Sequence, residues 1–121
     1  MLSYTIDGSL LTLNASGTPT LDEREQVFNA MRADPAVPNG AQLLIDARDV
    51  DLALADVSMA ERLRVLVDLV GPKLGPVCAV IIPAGLATQF RLFQTAGRGA
   101  GLKVELFSDE QSARQWLVAH R

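Results

Sequence analysis

The sequence contains few of the residues that usually carry out chemistry in proteins. Its 121 residues include one cysteine, Cys78, and one histidine, His120, and aromatic residues make up only 5%. A lone cysteine excludes a disulfide within the chain and a cysteine-rich zinc site, and it is typical of a reducing, cytoplasmic location. Cys78 falls within a predicted strand and His120 near a predicted helix end, so neither completes a Cys-His or Ser-His-Asp set. We therefore expect no enzyme activity and no cofactor.

Basic residues and long apolar runs are also scarce. Eleven Lys and Arg against fourteen Asp and Glu give a net charge of −3, which argues against nucleic-acid binding. The longest apolar run, 77–87, includes Pro83 and Gly85 and is shorter than the roughly 20 residues that a membrane-spanning helix needs. The segment 1–10 lacks the basic start of a signal peptide. We expect neither a membrane span nor secretion.

The sequence does contain enough apolar residues to form one hydrophobic core. Hydrophobic residues make up 49% and charged residues 21%, a balance typical of globular chains. A length of 121 residues corresponds to one domain, 1–121, that needs no disulfide or metal to fold.

Strand and helix patterns alternate along the chain. Two alternating segments flank Asp7-Gly8, a dipeptide typical of a two-residue hairpin turn. The predicted elements, in chain order, are strands at 2–6 and 9–15, a helix at 20–34, a strand at 41–47, a helix at 58–70, a strand at 76–82, a helix at 86–96, a strand at 102–107 and a helix from 108. This order predicts an α/β fold. Its mixed sheet has about five strands, an antiparallel hairpin followed by parallel strands, and is accompanied by four helices.

Three of the predicted helices begin with a capping box, in which a Ser or Thr hydroxyl and a Glu or Gln three residues later satisfy the first backbone N–H groups. These boxes begin at Thr20, Ser58 and Ser108. Apolar residues recur at helical spacing behind each start and in the third helix. The predicted buried residues are Val27, Phe28 and Met31, then Met59, Leu63, Leu66, Val67 and Val70, then Phe90, Phe93 and Gly97, and finally Ala113, Trp116 and Leu117.

Several motifs in this order resemble a known family. The Asp7-Gly8 hairpin, the strand LLIDAR at 43–48 and the segment VELFSDEQSARQWL at 104–117 are similar to those of STAS domains. That family includes SpoIIAA-type anti-sigma-factor antagonists and the cytoplasmic domains of sulfate transporters. The likeness spans the whole chain and is greatest to a bacterial single-domain branch grouped with STAS and with the lipid-binding CRAL-TRIO domains. It implies a SpoIIAA-like fold and a non-catalytic protein-interaction or regulatory module that binds a protein partner or self-associates as a homodimer.

The resemblance also makes Ser58 a candidate phosphorylation site. Regulatory STAS proteins carry an Asp-Ser-Ser-Gly type sequence here, and a kinase phosphorylates one of its serines. Asp56 and Ser58 match the aspartate and the acceptor serine, whereas Val57 and Met59 replace a serine and the glycine. A phosphate at a helix N-terminus would lie in a favourable dipole field. A capping role accounts for Ser58 without further assumptions and is the favoured interpretation, since two other helices begin with equivalent boxes.

Four aspartates end or follow the third predicted strand and raise the question of a metal or phospho-aspartate site: Asp46, Asp49, Asp51 and Asp56. A hard cation needs several carboxylate oxygens that converge on it. Here the aspartates alternate with Val50, Leu52 and Leu54, which indicates an extended loop with its apolar side chains turned inward. We expect no metal site.

The third predicted helix carries more apolar surface than one buried stripe requires: Leu86, Phe90, Leu92 and Phe93. This set is either a wide core-facing stripe or a face for a partner or an apolar ligand. The resemblance implies a second possible function here, namely a carrier or sensor of a small lipid-like ligand in a groove near this helix. In that case Arg91 and Arg98 are the candidates for contact with an anionic head group.

Overall fold

The computed structural model describes residues 1–51 and 59–120. Its elements, in chain order, are β1 (Leu2–Asp7), β2 (Leu10–Gly17), α1 (Leu21–Ala33), β3 (Ala41–Val50), α2 (Met59–Val70), β4 (Leu74–Ile81), α3 (Ala87–Gly99), β5 (Lys103–Phe107) and α4 (Glu110–Ala119). A short 3₁₀ turn at Gly71–Lys73 joins α2 to β4. The predicted alternation of five strands and four helices is confirmed within these residues.

The five strands form one sheet in the order β1-β2-β3-β4-β5. β1 and β2 pair antiparallel around the Asp7-Gly8 turn, where Gly8 has a φ of 59°. The pairs β2–β3, β3–β4 and β4–β5 are parallel. The predicted mixed sheet with a hairpin at one edge is therefore confirmed.

Side-chain alternation along the strands separates two cores. Leu43 and Ile45 face α1, α2 and α3 in the main core, whereas Leu44, between them, packs in a second core beneath α4. Successive side chains of a strand point to opposite faces, so an uninterrupted apolar strand implies that both faces are covered. Three helices thus cover one face of the sheet and α4 covers part of the other.

The helix starts follow the capping expectation with two differences. The Glu23 N–H donates to the Thr20 hydroxyl at 3.1 Å, as predicted. The Glu23 carboxylate, however, accepts from the Leu2 N–H of β1 at 2.9 Å and so ties the edge strand to α1. The cap of α4 is Asp109 rather than Ser108, because the Asp109 carboxylate accepts from the Ser112 N–H at 2.8 Å. That bond lowers the pKa of Asp109.

Three further details differ from the sequence prediction. β3 runs to Val50 instead of ending at Ala47, because an irregularity between Asn14 and Ser16 lets β2 keep pairing with it. α3 continues to Gly99, beyond the predicted end at residue 96. Val27, Val67 and Trp116 are half-buried rather than buried. The Trp116 ring packs 5.7 Å from Phe107 and 4.4 Å from His120, centroid to centroid, at the margin of the second core.

Candidate functional site

An apolar cavity of about 70 Å³ lies between the sheet and the three helices that cover its main core. Its floor is built by inward-facing residues of three neighbouring strands: Leu13 and Ala15 of β2, Ile45 and Ala47 of β3, and Val80 of β4. Several of these residues lie near the carboxyl ends of the parallel strands. In open α/β sheets this is the end at which ligands usually bind.

Aromatic rings from two helices form much of the cavity wall. Phe28 of α1 and Phe90 and Phe93 of α3 line it, and all three side chains are buried. The Phe90 and Phe93 rings lie 6.4 Å apart, centroid to centroid, with their planes inclined by 51°. Such tilted pairs are favourable beyond the area they bury. Phe90 and Phe93 therefore share one face of α3, as their spacing predicted, and this face forms part of the cavity wall.

Two arginines also line the cavity. Arg24 of α1 is only 4% exposed, and its Nη1 donates to the Pro19 carbonyl at 2.9 Å, which fixes the guanidinium beside the cavity. Arg62 of α2 is half-buried and lines the same space. Among the described lining residues, two are cationic and none is acidic.

Neither arginine was predicted from the sequence, although a signal was present. Arg24 precedes Phe28 by four residues and Met31 by seven, so it belongs to the buried stripe of α1. Arg62 stands four residues before Leu66 in the same way. A positively charged residue within the apolar stripe of a helix is the pattern that would have identified both arginines.

The other residues named for the third helix lie away from the cavity lining. Leu86 is half-buried and packs against the main core, whereas Leu92 is 60% exposed. Arg91 and Arg98 are exposed, and neither is among the residues that line the cavity. The structure therefore brings Phe90 and Phe93 together with Arg24 and Arg62, and not with the arginines of α3.

Asp46 of the LLIDAR segment lies on β3, and so does Asp49, which was predicted to lie in a loop. Arg48 donates from Nε to Asp46 Oδ1 at 3.0 Å and from Nη2 to Asp46 Oδ2 at 2.7 Å. This two-pronged contact lowers the pKa of Asp46. Over residues 1–51 and 59–120, no three His, Cys, Asp or Glu side chains are grouped so that they could hold a metal ion.

Ser58 and Asp56 fall outside the described residues, so the proposed phosphorylation of Ser58 stays a prediction.

Cys78 is fully enclosed in the main core. Burial raises the pKa of its thiol to about 12, so it is held as an unreactive thiol.

Of the helices in the part of the chain that the structure describes, none has the length and apolar character to cross a bilayer.

Comparison with known proteins identifies the fold. No family model matches the chain, and neither does any curated protein. Among solved structures, the chain is similar to an uncharacterised protein of the DUF3478 family from Shewanella loihica PV-4, which has a SpoIIAA-like fold. The two share 19% sequence identity with a TM-score of 0.68, over 97% of this chain and 92% of the other. The chain therefore has a SpoIIAA-like fold, as the resemblance to STAS domains implied.

Proposed function

We propose that the chain is a non-catalytic STAS-like module that binds a small apolar ligand in the cavity beside Phe90 and Phe93. The observation that carries this proposal is the cavity itself, which has aliphatic and aromatic walls. Small-molecule sites are typically concave, mostly apolar and supplied with a few polar groups. Arg24 and Arg62 are such groups.

The size of the cavity limits its occupant. Its volume of about 70 Å³ is roughly half that of an engineered cavity of about 150 Å³ that binds benzene. Because the cavity is partly open to solvent, a benzene-sized ring would fill it and project from it. A short aliphatic chain fits, and a longer ligand would have to extend out of the cavity.

Filling the cavity is expected to abolish binding. Ala47 lines it and is 2% exposed, so Ala47→Leu puts three additional carbon atoms into the space that the ligand would occupy. Titration calorimetry with 1-propanol to 1-hexanol should show binding to the parent protein and none to the variant. The matched control is Ala30→Leu, which adds the same atoms to an exposed position of α1. Equal binding to the parent protein and Ala47→Leu, with circular dichroism showing both folded, would contradict the proposal.

A second candidate function is self-association, as the resemblance to STAS proteins implies. The observation in its favour is Leu92, a large apolar side chain that is 60% exposed on the outer side of α3. Exposed apolar surface can mark a face that a partner covers. A second copy of the chain, docked against α3, would remove Leu92 from water.

Leu92→Ser is expected to weaken this association by about tenfold or more, because burying a leucine contributes roughly 1.5–3 kcal/mol. Sedimentation equilibrium over a concentration series measures the change directly. Val118→Ser is the control, since Val118 is 58% exposed but lies on α4. A parent protein that stays monomeric at millimolar concentration would rule out this candidate, and so would equal dissociation of both variants.

A further inference from the structure

β1 is an edge strand of the sheet, and hydrogen bonds satisfy only part of its outer side. The Ser16 N–H donates to the Met1 carbonyl at 2.9 Å, so these two residues form a hydrogen-bonded pair of the antiparallel ladder. Hydrogen-bonded pairs alternate along such a ladder, so every second residue of β1 bonds to β2. The backbone N–H and C=O groups of the intervening residues point away from the sheet: Leu2, Tyr4 and Ile6.

The outward groups of Tyr4 and Ile6 are open to pairing. The Leu2 N–H donates to the Glu23 carboxylate at 2.9 Å, which agrees with its outward direction and occupies that end of the edge. Over residues 1–51 and 59–120, no group bonds to the outward backbone of Tyr4 or Ile6. Two consecutive outward residues of an edge strand are therefore available to another strand.

The opposite edge of the sheet is better protected. The Val104 carbonyl of β5 already accepts from Gln94 Nε2 at 2.9 Å, and Lys103, at the start of β5, is exposed. Charged residues, and lysine above all, discourage an edge strand from pairing with another chain. β1 contains no lysine, arginine or proline, and it is rich in the Tyr, Thr and Ile that strands favour. A further strand is therefore expected at β1 and not at β5.

From this backbone pattern we propose that two copies of the chain pair antiparallel through their β1 strands, which joins their five-stranded sheets into one. A two-fold axis at Thr5 places Tyr4 opposite Ile6 of the second copy, so the free groups of both residues are paired. An axis at Tyr4 would set Ile6 against Leu2, whose N–H is already occupied. An axis at Ile6 would set Tyr4 against Gly8, outside the strand.

The side chains of β1 suit this register. Asp7 is the only charged residue of the strand, and it faces Ser3 of the second copy, whose hydroxyl donates to carboxylates. The two Asp7 carboxylates lie at opposite ends of the paired strands, about 14 Å apart along them. On the other face, Tyr4 lies beside Ile6 of the second copy, an aromatic and β-branched pair of the kind that stabilises sheets. This self-complementarity is the reason for assigning the edge to a second copy of the chain.

Cysteine cross-linking tests the register. Residues directly opposite at this axis have Cα atoms about 4.5 Å apart, within the range of a disulfide, whereas the two Ser3 residues lie about 14 Å apart. In a glutathione redox buffer, Thr5→Cys is expected to give at least about tenfold more disulfide-linked dimer than Ser3→Cys, measured by non-reducing electrophoresis. The parent protein is the blank, because its Cys78 is buried and unreactive.

Lysine substitutions test the same interface without a covalent bond. Thr5→Lys puts two like charges directly opposite each other and should weaken association by about fivefold or more in sedimentation equilibrium. Ser3→Lys is the matched control: it faces Asp7 of the second copy and should associate at least as tightly as the parent protein. Thr5 and Ser3 are both exposed, so we expect both variants to fold, which circular dichroism checks.

The proposal requires both differences between Thr5 and Ser3. Equal cross-linking of Thr5→Cys and Ser3→Cys, or equal effects of the two lysines, would overturn it and leave the edge to a different strand or to solvent. A parent protein that stays monomeric at millimolar concentration would also overturn it. Neither position lines the cavity, so failure here leaves the apolar-ligand proposal untouched. An interface at Leu92 of α3 would not bring the two Thr5 residues together, so the cross-link distinguishes the two modes of self-association.

Discussion

Phe90→Ala is expected to lower the free energy of unfolding by about 3–5 kcal/mol, the usual cost of truncating a buried aromatic side chain. Phe90 is 4% exposed and packs against Phe93 and the main core. Its ring also forms part of the cavity wall, so the missing atoms add to a space that already exists. Because α3 and the sheet hold the surrounding residues in place, we expect the enlarged cavity to collapse only in part.

The enlarged cavity should accept longer ligands than the parent protein does. Urea unfolding measures the stability, and calorimetry with 1-propanol to 1-hexanol measures the preferred chain length. The control is Leu92→Ala on the same helix, whose 60% exposed side chain predicts a change within about 0.5 kcal/mol. Phe90→Leu, a milder truncation, is measured in parallel in case Phe90→Ala does not fold. A loss below 1 kcal/mol with an unchanged chain-length preference would show that Phe90 does not form the wall of a ligand site.

Local sequence signals were sufficient for most of the fold. The Asp7-Gly8 turn, the Thr20 cap and the continuous apolar run of β4 each act within a few residues, so they can be recognised without knowledge of the tertiary structure. The same holds for the spacing of Phe90 and Phe93, which share one face of α3. These signals defined the order of the elements, and that order led to the SpoIIAA-like fold.

The features that the sequence did not predict depend on contacts between distant segments. β3 reaches Val50 because β2 remains alongside it as far as Gly17, a pairing that no local pattern in β3 encodes. The Glu23 carboxylate bonds to Leu2, 21 residues earlier, instead of returning to its own cap. Trp116 lies half-buried at the margin of the second core, where its ring packs against Phe107 at the end of β5.

The sequence predicted only part of the candidate site, because the rest of the site also depends on contacts between distant segments. Helical periodicity identified the apolar wall, because the two phenylalanines lie on a single helix. The cations come from α1 and α2, and only the parallel order of β2, β3 and β4 brings those helices over the same face of the sheet as α3. Arginines on α3 itself were the nearest choice in sequence, but Arg91 and Arg98 are exposed and do not line the cavity.

α3 packs closely against the sheet at Gly97. A Cβ atom at this position would overlap the Cγ2 atom of Val104 on β5 and would lie 3.5 Å from the Cδ2 atom of Leu63 on α2. Val104 is 1% exposed and Leu63 is also 1% exposed, so neither side chain has room to withdraw. Glycine is therefore required at residue 97 by the packing of three elements.

Gly97→Ala is expected to lower the free energy of unfolding by about 1–3 kcal/mol through overpacking, although alanine is preferred over glycine in helices by about 1 kcal/mol. Gly99→Ala is the control on the same helix: a Cβ there meets nothing within 4 Å, so this variant should be unchanged or slightly more stable. In a double-mutant cycle measured by urea unfolding, Val104→Ala should relieve the overlap. The pair should then cost at least about 1 kcal/mol less than the sum of the single variants. Additive losses, or a Gly97→Ala variant as stable as Gly99→Ala, would show that α3 does not rest on β5 at this residue.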